Sequence, residues 1–182
     1  MINRLRQLFQ SILPIQMQAV SILKAVGCFI LSIAILSPGL LHPPVALADN
    51  YDKDYLVEED FSGRDLTDSS FTLANMRKAN LSHADLRGVS LFSAHLEEAN
   101  LEGANLSGAT LDKAHLVKAN LKNAILENAF AFNARFNGAT IDGADFTGVL
   151  LRQDMQDLLC DVADGVNPVT GRATRDTLDC FY

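Results

Sequence analysis

Residues 99–124 read ANLEGANLSGATLDKAHLVKANLKNA, and within them a leucine recurs at every fifth position: Leu101, Leu106, Leu111, Leu116 and Leu121. The register continues in both directions. Upstream it passes through Leu96, Leu91, Leu86, Leu81, Met76, Phe71 and Leu66 to Phe61, and downstream through Leu126, Phe136, Ile141 and Phe146 to Leu151. Ala131 is the one small residue in the series. Two positions before each of these centres the chain is alanine from Ala74 to Ala144, with Val89 the single exception.

A period of five suits neither regular element. Along an α-helix, five residues advance roughly 500°, so successive centres drift around every face. Along a flat strand, an odd spacing sends successive centres to opposite faces. One continuous apolar interior results only if the chain turns a corner in each unit and coils about an axis. The residue two after the centre is often Gly (63, 88, 103, 108, 138, 143, 148) or Asn (123, 128, 133), types that tolerate tight or left-handed corners. The residue just after the centre is mostly polar and is expected to face outward.

The stretch 99–124 resembles the pentapeptide-repeat family, whose signature is A-(D/N)-L-x-x. The resemblance implies an all-β solenoid, a right-handed quadrilateral β-helix with four pentapeptides per coil. Residues twenty apart then stack in columns at strand spacing, ~4.8 Å, giving a rod on the order of 20–25 Å long. One such column, Asp60, Asn80, Asn100, Asn120 and Thr140, is suited to an amide ladder along the axis.

The first 48 residues contain no Asp or Glu. Arg4, Arg6 and Lys24 accompany an apolar run from Ala25 to Leu36, broken by Pro38 and Gly39. Ala46-Leu47-Ala48 then gives an A-x-A cleavage pattern. An export signal is expected over 1–48, an N-terminal cap over 49–58, the repeat solenoid over 59–153, and a helix with a tied tail over 154–182. The chain carries 15 basic and 22 acidic residues, and 3 of the basic ones fall in the signal, leaving 12 against 22, a formal charge of −10. Such an acidic exported rod is not expected to bind nucleic acid or anionic membrane unaided.

Beyond the signal only Cys160 and Cys180 remain, and two cysteines in an exported domain suggest a disulfide rather than free thiols or a metal pair. Tyr51, Tyr55, Leu56 and Val57 are expected to pack over the first coil. After Leu151, Asp154 is expected to cap a short amphipathic helix. Met155, Leu158, Leu159 and Val162 would form its apolar face, and Gly165 its end. The tail CDVADGVNPVTGRATRDTLDC (160–180) resembles that of the thylakoid-lumen pentapeptide-repeat proteins of cyanobacteria and chloroplasts. That resemblance implies a lumenal compartment, with the periplasm as the alternative, and implies no particular reaction.

Three places stand out along the rod. His95 and His115 stack in one column and would suit a metal or a pH response, but their column-mates Asn75 and Arg135 are poor ligands. The expectation is therefore a polar column with no metal and no cofactor. Around Ala131, the residues Ile125, Phe130 and Phe132 occupy usually polar positions, and Phe92 shares the Phe132 column. Either a flanking phenylalanine leans in to fill the hole at Ala131, or Phe92, Ile125, Phe130 and Phe132 form an exposed patch for a protein partner. Acidic side chains are scattered over a convex surface without a nucleophile elbow, phosphate loop or zinc signature, so no enzymatic activity is expected. The functional expectation is a non-enzymatic interaction or scaffold protein of an oxidising extracytoplasmic compartment, binding a protein partner through the solenoid face or the C-terminal tail. The alternatives are a DNA-mimicking inhibitor of a topoisomerase and a redox-regulated protein using Cys160 and Cys180.

Overall fold

In a computed structural model, residues 49–180 are described. The export signal expected over 1–48 lies outside the described residues. No helix among the described residues is long and apolar enough to cross a membrane.

Each pentapeptide forms one side and one corner of a coil. The residue before each centre makes a parallel bridge to the residue twenty further on, as in Asn80↔Asn100, Asn100↔Asn120 and Asn120↔Thr140. Four units therefore complete a coil. Two hydrogen bonds per unit tie neighbouring coils at this bridge: Leu101 N–H donates to Asn120 O at 2.7 Å, and Asn120 N–H donates to Ala99 O at 2.9 Å. The two residues after the centre are spent on the corner, so each side is too short for a continuous strand. The β-structure consists of isolated bridges stacked in columns.

The corners are of the type II kind, with the alanine N–H closing back on the centre carbonyl (Ala104 N–H to Leu101 O, 3.0 Å). The residue two after the centre is left-handed even where it is not glycine: Lys53, Leu73, Lys78, His83 and Glu98 all have φ between 57° and 63°. Such a conformation costs roughly 1–2 kcal/mol for a residue with a Cβ. It persists because the same N–H is captured by the next coil, as Glu98 N–H is by Val117 O at 3.0 Å. Asn133 departs from the expectation for its position and has no positive φ. Its backbone N–H and its side-chain amide both donate to Asp112 Oδ1, at 3.1 and 2.8 Å, and this redirects the corner.

The centres from Phe61 to Phe146 are buried, and the preceding alanines line the same interior. Phe61, Phe71 and Tyr51 form an aromatic cluster, with Tyr51 stacked on Phe71 at 4.8 Å. Residues 49–58 are not a separate cap. Asn50 bridges Ser70 and Tyr55 bridges Asn75, so Tyr51 and Leu56 are two further partly buried centres, while Tyr55 points outward at 77% exposure. The amide ladder forms: Asn80 Nδ2 donates to Asp60 Oδ1 (3.0 Å), Asn100 to Asn80 (3.2 Å) and Asn120 to Asn100 (3.0 Å).

Past the last coil, helix α1 spans Gln153–Cys160 and buries Met155 and Leu159 against the core. Arg152, not Asp154, occupies its N-cap; Asp154 lies in the first turn, paired with Arg152 at 2.6 Å. The helix ends at Asp161, so Val162 falls beyond it and is 55% exposed. Gly165 serves a different purpose from the expected helix stop. It passes against Gly143, where a Cβ would meet the Gly143 nitrogen at 2.8 Å. A one-turn helix, α2, covers Thr174–Thr177.

Candidate functional site

The coil that begins at Ala131 is where the repeat chemistry changes. Its four centres are Ala131, Phe136, Ile141 and Phe146, against four leucines in the coil before it. All four are buried, and the Phe136 and Phe146 rings meet edge-to-face at 6.1 Å. Two phenylalanines in place of leucines return most of the volume that alanine gives up. The compensation expected from a flanking phenylalanine is therefore supplied inside the core, and Phe130 and Phe132 do not lean in. They stand 44% and 47% exposed on either side of Ala131.

Leu150 joins them. It bridges Phe130 from the next coil and is 58% exposed. The sequence signal for it was its place twenty residues after Phe130. Ile125 is half-buried between Asn105 and Asp145 in its own column. Phe92 is also half-buried. Asp112 separates it from Phe132 along the column, and the Lys113 ammonium lies over its ring at 5.4 Å. The structure thus brings together Phe130, Phe132 and Leu150, and leaves Phe92 and Ile125 at the margins.

Beside this apolar ledge runs a groove of about 530 Å³ lined by His95, His115, Lys113, Asn133, Arg135 and Arg152, with no carboxylate among its lining residues. Lys113 and Arg135 bring basic groups into this groove on a chain of net charge −7, while Arg152 is paired with Asp154. At its edge, His95 and His115 pack edge-to-face with centroids 4.8 Å apart. Glu97 lies beside both, which the sequence reading missed. Residues just before and just after a centre both face outward, so positions 95 and 97 share a surface, and that alternation was the available signal. Arg77 Nε donates to Glu97 Oε2 at 3.2 Å. Burial opposes ionisation of Glu97, but hydrogen bonds from Arg77, its own backbone N–H and His95 outweigh it and hold its pKa at about 2.

The second candidate region is the tail. Cys160 and Cys180 form a disulfide with Cα atoms 5.6 Å apart. Asn167 is fully buried: its Nδ2 donates to the carbonyls of Gly143 (2.8 Å), Asn123 (3.2 Å) and Ala124 (3.3 Å), and its Oδ1 accepts from Val169 and Thr170 N–H. Arg172 Nη1 donates to buried Asp145 Oδ2 at 3.1 Å and to Thr147 Oγ1 at 3.1 Å. Burial alone would raise the Asp145 pKa. Hydrogen bonds from the Thr147 hydroxyl and backbone N–H and from Thr170, with the charge of Arg172, hold it below the usual carboxylate range. Gly143 N–H donates to Asp164 O (2.9 Å) and Phe146 N–H to Thr177 Oγ1 (3.1 Å), so the tail replaces a missing next coil.

Comparison with known proteins places these features. The family model "Pentapeptide repeats" matches residues 60–91, 90–128 and 114–153. A crystal structure of a pentapeptide repeat protein from the Arabidopsis thaliana thylakoid lumen is 47% identical, with a TM-score of 0.71 over 72% of this chain and 92% of that one. A pentapeptide repeat protein (Rfr23) from the cyanobacterium Cyanothece 51142 is 34% identical over 56% of this chain and 76% of that one, with a TM-score of 0.42. Thylakoid lumenal 15 kDa protein 1, chloroplastic, of Arabidopsis thaliana is 67% identical over 36 residues, 20% of this chain and 16% of that protein, so the match spans well under two thirds of that relative. With twenty-residue coils, bridges before every centre and a family match running from residue 60 to 153, the chain belongs to the pentapeptide-repeat family, whose members form right-handed quadrilateral β-helices.

Proposed function

We propose that this protein is a non-enzymatic interaction protein of the thylakoid lumen that holds a protein partner on the ledge of Phe130, Phe132 and Leu150. The observation that carries this reading is the exposure of three large apolar side chains, Phe130, Phe132 and Leu150, around one side of the last coils, whereas exposed Tyr55 and Leu73 stand elsewhere on the rod. Exposed apolar clusters on otherwise polar surfaces mark contact sites. Pentapeptide-repeat proteins are generally structural or interaction proteins without catalysis, which supports the assignment. The relation to a lumenal Arabidopsis protein and the disulfide support an oxidising lumenal setting.

The adjoining groove defines the partner's chemistry. Lys113, Arg135 and Arg152 line that groove, so the partner presents an apolar side chain with carboxylates beside it. A photo-crosslinking residue at position 132, introduced into the full chain in its host, should give one discrete adduct. The same residue at position 55, on a different column and more exposed, should not. An identical adduct from both positions, or none from position 132, would count against the ledge.

A further inference from the structure

The two positions that flank a core centre project from one face, and the residue twenty on stacks above them. His95, Glu97 and His115 satisfy both relations. Glu97 Oε1 lies 3.4 Å from His95 Nδ1 and 3.3 Å from His115 Nδ1, and one ligand atom from each residue falls within 4.8 Å of the others. These separations are longer than the ~2.7–2.9 Å of a good charge-assisted N–H···carboxylate hydrogen bond. The two Glu97–imidazole separations are close to a coordination edge, and an ion would draw the whole set, now within 4.8 Å, closer together. Bonds of about 2.0–2.1 Å in a tetrahedral zinc site place neighbouring ligands about 3.3–3.4 Å apart, whereas cis ligands of a square or octahedral ion at the same bond length sit at about 2.8–3.0 Å.

We infer that His95, Glu97 and His115 form a three-ligand site for a tetrahedral divalent transition ion, zinc by its donor set, clamping two successive coils and leaving a fourth position for water or a ligand. Two neutral imidazoles and one carboxylate are the donors of an open zinc site. Glu97 is already ionised at neutral pH. Arg77 holds the Glu97 carboxylate through Nε to Oε2 at 3.2 Å and, more loosely, Nη2 to Oε1 at 3.4 Å, and so fixes its orientation toward the imidazoles, as outer-shell partners orient metal ligands. All three side chains are partly exposed, and both histidines line the groove, which gives an ion a path from solvent. The family match and the core are indifferent to this cluster, since neither position 95 nor 97 is a centre.

The test is isothermal titration of the full chain, stripped with EDTA, with zinc alone. One zinc per chain should bind, and His95→Asn, His115→Asn and Glu97→Gln should each weaken binding at least about tenfold. His83→Asn, on another corner, should bind like the unaltered chain. Far-UV circular dichroism checks the fold of each variant. The unaltered chain loaded with cobalt(II) gives a reading that no variant can confound: an intense visible absorption of tetrahedral type is expected. Absence of stoichiometric zinc binding, zinc binding unchanged in His115→Asn, or a weak octahedral cobalt spectrum would each overturn the site.

Discussion

At the residue scale, Asn167 carries more of the molecule than any single position in the tail. Its amide serves three carbonyls on two coils and its oxygen closes the local turn, so both ends of the group have defined roles. Asn167→Asp keeps the shape but sets an oxygen against three carbonyl oxygens. It should cost about 2–4 kcal/mol in denaturant unfolding, in line with a buried polar group turned against its partners. A change under about 0.5 kcal/mol would show that the tail is not anchored there. Asp145 makes a separate prediction in pH. Its folded pKa is depressed, so its contribution to stability is complete above the unfolded aspartate value and fades as pH falls through the lower, folded value. Asp145→Asn should therefore flatten the acid limb of the stability curve, and an unchanged acid limb would contradict the hold that Thr147, Thr170 and Arg172 have on its carboxylate. Neither role was legible beforehand. Asn167 reads as a turn residue from its Pro168 neighbour, and its partners lie 24 to 44 residues away.

At the scale of the element, the period of five was the most legible feature because every unit repeats the same inward centre. Its failures were less so. The left-handed corners at Lys78 or Glu98 carry no glycine signal, since inter-coil hydrogen bonds rather than residue preference fix them. Asn133 has the right side chain for such a corner, yet Asp112 diverts it. The balance of Ala131 against Phe136 and Phe146 becomes readable once twenty-residue coils are laid side by side. It predicts coupling: Ala131→Leu alone should overpack its coil, Phe136→Leu alone should leave a void, and each should cost roughly 1–3 kcal/mol. The double variant should cost less than their sum by about 1 kcal/mol in a thermal or denaturant cycle. Strict additivity would show that the two centres do not share volume. The tail is an element of another kind, held by covalent closure. Cys160→Ser with Cys180→Ser should lower stability by ~3 kcal/mol, from the loop of 20 residues it opens, while the circular dichroism of the solenoid is retained at low temperature. Stability unchanged on losing both sulfurs would mean that the tail's hydrogen bonds alone hold it.

At the scale of the whole molecule, the architecture separates three tasks. The buried centres give rigidity, the tail supplies the contacts a further coil would have made, and the outward columns carry the surface chemistry. On them, Phe130, Phe132 and Leu150 are exposed without a core to serve, next to a groove lined by Lys113, Arg135 and Arg152. Sequence alone pointed to Phe130 and Phe132 and grouped Phe92 with them across the intervening Asp112, whereas Phe92 is half-buried with the Lys113 ammonium over its ring. The most direct measurement is the dissociation constant of the partner captured from position 132, for the unaltered chain and for Phe130→Ser with Phe132→Ser. Loss of two aromatic anchors should weaken binding by about tenfold to a hundredfold, with the thermal midpoint nearly unchanged because neither ring belongs to the core. An affinity equal to that of the unaltered chain, in a variant that still folds, would contradict the account.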